Sequence, residues 1–310
     1  MLKKIDSFVF IILPVFNGEK YILQQLMSIY YQTFKNWYLI IVNDGSTDAT
    51  LNIIENFIKD YNLQWKIKIL NKNNSWVNKA IETWLYEMQK LKEKFEWYDI
   101  FVSYCDADDV RMRNKLEYQL KYIIEKKADL CYHDLIVINE NDGVIWDSYN
   151  KILRTPFNNI YDNSFLKFCL YNHITSTTML FKYDYVKTIL PMCNWLYQDW
   201  YTCLIISGLN WKIVSIETPL AYYRRHANAM TGPGNKKTSS DFFKESINVL
   251  INIKNRLTNQ NEDVANLILK DYQFRVKHPK KQKLYHVSYI IKHYKILKYY
   301  IKSVISFYFR

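Results

Sequence analysis

Asp106, Asp108 and Asp109 stand together in the tetrapeptide Asp106-Ala107-Asp108-Asp109, directly after an apolar run that ends at Cys105. Carboxylates this close repel one another and raise at least one pKa, and a hard divalent cation bound through oxygen removes that penalty. Magnesium or manganese held there also takes diphosphate oxygens, so the chemistry on offer is stabilisation of a departing phosphate-bearing anion. Taken alone, the pattern fits a solvated acidic turn that caps the following helix better than it fits a metal site. A second polar cluster, Asn43-Asp44-Gly45-Ser46-Thr47-Asp48, closes another apolar run. A carboxylate at Asp44 can accept the imide N–H of a uracil or thymine ring, while the amides of Gly45 and Ser46 can serve phosphate or ribose.

The elements that position these residues follow from hydrophobic spacing. The continuous apolar run at 8–15 predicts a strand buried on both faces, 37–42 a second buried strand, 66–70 a third, short one and 99–104 a fourth. Helical spacing separates them: Ile22, Leu26, Ile29 and Tyr30 within 19–31, then Leu51, Ile54, Phe57 and Ile58 behind an N-cap at Thr47 or Asp48, then 75–91. Strands alternating with helices imply an α/β fold with a doubly wound, mostly parallel sheet flanked by helices. Ligands bind such sheets at the carboxyl ends of the strands. The loops Pro14 to Gly18, Asn43 to Asp48 and Asp106 to Asp109 then share one edge.

Beyond the acids the pattern is less regular. Strands are expected at 130–139 and 144–146, joined by a hairpin turn at Asn139-Glu140-Asn141-Asp142-Gly143, and again at 175–181 and 211–215, with a helix at 197–208. From about Ser239 the pattern is helical to the end. The expected organisation is one domain over 1–235, with a nucleotide-binding half (1–110) and an acceptor half (111–235), followed by a helical extension over 236–310. Near the end, Lys292, Lys295, Lys298 and Lys302 fall on one side of a helical wheel, opposite Leu297, Ile301, Val304 and Phe307. That helix suits an anionic membrane surface, or equally a domain face with its lysines in water.

The net charge of +12 calls for an anionic partner: nucleic acid, a phosphorylated substrate or an anionic membrane. The cysteines show no C-x-x-C pair, which argues against a disulfide framework or a zinc site and for a reducing, cytosolic setting. The apolar stretch Phe8 to Phe16 is broken by Pro14 and is too short to span a bilayer.

The stretches Leu13-Pro-Val-Phe-Asn-Gly-Glu-Lys-Tyr21, Ile41-Val-Asn-Asp-Gly-Ser-Thr-Asp48 and Asp106-Ala-Asp-Asp109, in this order, resemble the inverting family-two glycosyltransferases of GT-A fold. The resemblance implies Asp44 as the base-recognition residue, Pro14, Val15 and Asn17 as lining of the nucleotide pocket, and Asn73 and Asn78 as further polar contacts. It implies Asp106 on the ribose or diphosphate side and as a metal ligand, with Asp108 the principal ligand of Mg2+ or Mn2+. Gln198-Asp199-Trp200-Tyr201 matches the position of the family's general base, making Asp199 the catalytic candidate, although Asp199 also fits an N-cap. Tyr222-Tyr-Arg-Arg-His226 resembles a Y-R-x-H segment. Arg224 or Arg225 then meets the diphosphate, for which a guanidinium fork is suited, and His226 the metal or phosphate. His133 and His173 are expected to be structural or on the acceptor side.

The implied activity is transfer of a sugar from a UDP- or dTDP-sugar to a glycan or lipid-linked acceptor in cell-surface polysaccharide synthesis, in the cytoplasm and peripheral to the inner face of the membrane. His133-Asp134 and the Tyr-Arg-x-His segment look similar to rhamnosyltransferase-like members. Three other classes fit less well. A sugar-nucleotidyltransferase needs a Gly-rich phosphate loop that Leu13 to Gly18 does not supply. A basic nucleic-acid-binding protein needs a recognition helix, zinc finger or RNP-like signature, and nucleic acid is not expected as a partner. A dehalogenase-like phosphatase would carry its D-x-D-x-V after the first strand.

Overall fold

The computed structural model describes residues 6–72, 77–95, 97–153, 164–170, 172–192, 197–227 and 239–277. Its first half alternates β1 (Ser7–Val15), α1 (Ile22–Tyr30), β2 (Trp37–Asn43), α2 (Thr50–Asp60), β3 (Ile67–Asn71), α3 (Val77–Leu91) and β4 (Asp99–Tyr104). These strands pair in parallel in the order β3-β2-β1-β4. The period of two along β1 explains why the run is apolar throughout. Phe8, Phe10 and Ile12 enter one core, and Val9, Ile11 and Leu13 enter the other, so both faces are covered. A parallel arrangement then brings the carboxyl ends of β1, β2 and β4 to one edge.

The second half runs β5 (Val110–Arg111), α4 (Lys115–Glu125), β6 (Leu130–Asn139), β7 (Val144–Trp146), α5 (Tyr149–Ile152), α6 (Phe165–Leu170), β8 (Leu180–Lys182), α7 (Val186–Ile189), α8 (Gln198–Gly208) and β9 (Ile213–Arg225). It extends the sheet as β4-β8-β6-β9-β5, with β7 on β6. Only the β6–β9 pair is parallel in this part. The β6–β7 hairpin closes as expected, with Asn139 N donating to Gly143 O at 2.8 Å.

Several expectations need correction. The strand expected at 175–181 is a 3-10 turn, Ser176–Thr178, before the short β8. Local bonds win over strand propensity here: Thr178 Oγ1 donates to Thr175 O at 2.7 Å, and Ser176 N is drawn to Asp199 Oδ2 at 3.1 Å. The strand expected at 211–215 begins at Ile213 and continues to Arg225, passing Pro219 through register shifts against β6. At α2 the cap position is Ala49, without a side-chain bond, and Asp48 Oδ1 accepts from Thr50 N at 3.0 Å one step inside. Asp199 lies in the first turn of α8 rather than at its cap.

Two further helices, α9 (Ser239–Ile253) and α10 (Asn259–Lys277), pack on the domain. Val249, Leu250, Ile253, Ala265, Ile268, Leu269 and Tyr272 join the core that holds Phe10, and Tyr272 Oη donates to Cys169 O at 2.9 Å. The basic amphipathic stretch at 289–307 lies outside the described residues. Among the described residues no helix is long and apolar enough to cross a membrane.

Phe10 meets Phe8 at 5.4 Å and Phe95 at 5.3 Å between ring centroids in the middle of this core. Phe10→Ala is expected to lower unfolding free energy by about 3–5 kcal/mol in a urea titration, from lost burial plus the cavity left behind.

Candidate functional site

The three loops converge at the carboxyl edge through side-chain bonds the sequence could not show. Asn17, at φ 48°, turns the chain after β1, and its Oδ1 accepts from Thr47 N at 2.8 Å while its N–H donates to Ser46 Oγ at 3.0 Å. Gly18 N donates to Thr50 Oγ1 at 2.8 Å, and Ala49 N donates to Glu19 Oε2 at 2.8 Å. A Cβ on Gly18 would lie 2.8 Å from Val15 Cγ2, so glycine allows the chain to fold back on the end of β1 in this loop. Asp44 is half-buried, with its N–H donating to Val15 O at 2.9 Å. The Ser46 amide is not free for phosphate or ribose, since it donates to Asn43 Oδ1 at 3.1 Å. Asn73 lies outside the described residues, and Asn78 lies on α3 with its side chain likewise outside them.

The acidic loop is gripped from both sides. Buried Gln25 on α1 donates through Nε2 to Asp106 O at 2.6 Å. Arg111 donates to Tyr104 O at 2.6 Å and to Ser103 Oγ at 3.1 Å. Each acid has a different neighbour. Ser176 Oγ donates to the Asp106 carboxylate, 2.7 Å and 2.6 Å from its two oxygens. Asp108 Oδ2 meets His226 Nε2 at 2.8 Å, and Asp109 Oδ1 accepts from Arg224 N at 3.0 Å. Burial, and then the Asp108 charge, push Asp106 up to about 6. The same causes, joined by Asp106, hold Asp109 well above the ordinary carboxylate range.

Asp199 reaches this cluster through Ser176. Its Oδ2 accepts from Ser176 N at 3.1 Å, and its Oδ1 accepts from Asn172 Nδ2 at 3.3 Å and Trp200 N at 2.5 Å. Burial first, with the Asp106 charge added, pushes Asp199 up to about 7 despite those donors. Ser176 therefore touches both acids, one with its hydroxyl and one with its amide. Nothing in the sequence singled it out, because the contact to Asp106 spans 70 positions and depends on the 3-10 turn.

Arg224 is only 1% exposed and its guanidinium is committed within the protein. Nε donates to Asp108 O at 2.8 Å, Nη2 to Gln24 Oε1 at 2.7 Å, and Nη1 to Asn139 O at 3.2 Å while pairing with Asp142 Oδ1 at 2.7 Å. It ties α1, the acidic loop and the hairpin together. Arg225 points the other way, 5.5 Å over Trp146. His133 is buried beside Lys115 Nζ at 2.8 Å, and His173 stacks on Phe168 at 5.2 Å, so both sit in packing positions.

The donor set suits a hard divalent cation completed by substrate. Asp108 keeps 31% of its side chain exposed, and its Oδ2 and His226 Nε2 already converge. Among the described residues no group of three or more His, Cys, Asp or Glu does so. A magnesium-like ion takes one or two protein ligands and fills its remaining positions with phosphate oxygens and water. Arg224→Lys keeps the charge but removes the planar fork that serves Asp108 O, Gln24 Oε1, Asn139 O and Asp142 at once. The expected cost is about 1–3 kcal/mol of stability by chemical denaturation, from the hydrogen bonds that a single ammonium cannot replace.

The model of the family described as Glycosyl transferase family 2 matches residues 10–190, more than half of the chain. Glycosyltransferase GlyA of Streptococcus pneumoniae serotype 4 is 26% identical over 261 residues, covering 80% of this chain and 35% of that protein. UDP-Glc:alpha-D-GlcNAc-diphosphoundecaprenol beta-1,3-glucosyltransferase WfgD of Escherichia coli is 26% identical over 156 residues, covering 48% of this chain and 56% of that protein. The chain thus spans only part of the length of these relatives. The crystal structure of S. aureus TarS 1-349 in complex with UDP-GlcNAc superposes with a TM-score of 0.60 at 19% identity, over 90% of this chain and 76% of that chain, a likeness of fold. The chain belongs to glycosyl transferase family 2 and has the GT-A-type α/β fold.

Proposed function

We propose that the chain transfers a sugar, with inversion, from a UDP- or dTDP-sugar to a glycan or lipid-linked acceptor in polysaccharide assembly at the cytoplasmic face of the membrane. The observation that carries this reading is the double contact of Ser176 with Asp106 and Asp199, which joins the two carboxylates through one residue and supports a donor-side role for the first and a base role for the second. TarS bound to UDP-GlcNAc, and a relative named for a diphosphoundecaprenol-linked acceptor, support the choice of donor and acceptor classes.

In this reading Asp44 accepts the imide N–H of the base, with Pro14, Val15 and Asn17 as walls of the nucleotide pocket. Asp106 faces ribose or the near phosphate. Asp108 and His226 would hold Mg2+ or Mn2+, and the ion would supply stabilisation of the diphosphate as a leaving anion. Asp199 Oδ2 takes the proton of the acceptor hydroxyl as its oxygen attacks the anomeric carbon. The bond from that carbon to the diphosphate oxygen breaks in the same step, and the nucleoside diphosphate leaves with the electron pair. Burial, which raises Asp199, makes it a better proton acceptor at neutral pH than an ordinary carboxylate.

The sign of the pH dependence follows. A raised pKa keeps the proton on Asp199 below about 7, so kcat/KM is expected to fall as pH drops through that value. Asp199→Asn is expected to lower kcat by about 100- to 10,000-fold with UDP affinity preserved. Full transfer activity in that variant, or a product that retains the donor's anomeric configuration by NMR, would remove Asp199 from this role.

A further inference from the structure

Tyr21 closes the first sequence motif and stands one residue before α1, where its N–H donates to Gly18 O at 3.0 Å and its carbonyl accepts from Gln25 N at 3.2 Å. The chain on either side of it is fastened to the β6–β7 hairpin: Lys20 pairs with Glu140 at 2.9 Å, and Gln24 Nε2 donates to Asp142 Oδ1 at 3.3 Å. The position of the Tyr21 ring is therefore set by its backbone and by both neighbours. That ring meets two groups of the site. The Arg224 guanidinium lies over it, 4.7 Å from its centroid, and the His226 imidazole tilts against it with ring centroids 5.0 Å apart. A phenol ring attracts a guanidinium through its face and packs favourably on a tilted aromatic ring, so it can hold both.

These contacts give the two cation donors one support. Arg224 fixes Asp108 directly, since its Nε donates to Asp108 O at 2.8 Å, and it braces Tyr21, which in turn holds His226. Asp108 Oδ2 and His226 Nε2 also hold each other at 2.8 Å. The same two atoms cannot keep that hydrogen bond while both serve a cation, and the imidazole then relies on its ring contact for its orientation. We infer that Tyr21 is a positioning residue for the divalent cation: its ring, braced on Arg224, holds His226 where it can serve the cation together with Asp108. The ring does this and not the hydroxyl. The inference rests on the sugar-transfer reading above and adds the contact that tunes cation-dependent binding of the diphosphate.

The test is calorimetric titration of UDP into the full chain, with manganese and with a chelator, for wild type, Tyr21→Phe, Tyr21→Leu, His226→Ala and the double variant Tyr21→Leu/His226→Ala. Tyr21→Phe keeps the ring and is expected to match wild type in both titrations. Tyr21→Leu is expected to weaken UDP about tenfold with manganese, the loss usual when the support of a metal ligand is removed, and to bind as wild type does with the chelator. Unchanged binding with the chelator also shows that the variant is folded. In the His226→Ala background the same substitution is expected to have no further effect, because the group it positions is gone. A wild-type response to manganese in Tyr21→Leu, parallel weakening in both titrations, a loss in Tyr21→Phe, or additive losses in the double variant would each overturn the assignment. So would wild type that binds UDP equally in both titrations. Failure of the sugar-transfer reading has a separate signature: wild type that binds UDP in neither.

Discussion

Four carboxylates, Asp106, Asp108, Asp109 and Asp199, lie near one another at one sheet edge, each repelled by at least one of the others, and the rest of the site is arranged around that repulsion. Burial costs a lone charge several kcal/mol or raises its pKa until it is neutral. Here the compensation is uneven. Asp109 is inside, 1% exposed, and is held well above its usual range, whereas Asp108 stays partly open beside His226. Asp106 and Asp199 lie between these extremes, up at about 6 and about 7. The cluster thus separates an inner acid that holds the loop from outer acids that meet ligands, and it leaves negative charge facing the cleft that a cation can offset.

The neighbours that hold this arrangement are neutral donors and one buried guanidinium. Ser176 lies between two of the acids, and its turn is fixed in depth: Gln119 Nε2 donates to Thr178 O at 2.9 Å, and Lys115 Nζ reaches Gln119 Oε1 and His133 Nε2, each at 2.8 Å. Burial, and then the Arg111 charge, hold Lys115 well below its usual range. A second layer therefore supports the turn on the side away from the cleft. Arg224 plays the corresponding part on the far side, where its fork joins elements from both halves of the chain.

Much of the first half could be read from the sequence, because period and composition agree there. Strands buried on both faces are nearly continuously apolar, as β1 and β2 are, and β4 departs from this inside only at the hydrogen-bonded Ser103. The parallel order then fixes which loops meet, so Asp44 and Asp106 to Asp109 share an edge as expected. The acceptor half was harder to read for physical reasons. Its 3-10 turn at Ser176 is set by tertiary hydrogen bonds, β9 passes a proline by shifting register, and β5 is a two-residue pairing. The alternation at Arg224 and Arg225 was also hidden. Adjacent arginines look interchangeable in a sequence, yet one is interior and structural and the other is exposed.

The measurement that bears most directly on this picture is calorimetric titration of UDP into the full chain at pH 7.5, once with manganese and once with a chelator. A cleft organised around unneutralised carboxylates should bind the diphosphate well only when a cation accompanies it, with affinity at least about tenfold higher in manganese, a difference of about 1.4 kcal/mol. Equal affinity in the two titrations would mean that these acids are balanced within the protein and do not meet the diphosphate through a metal.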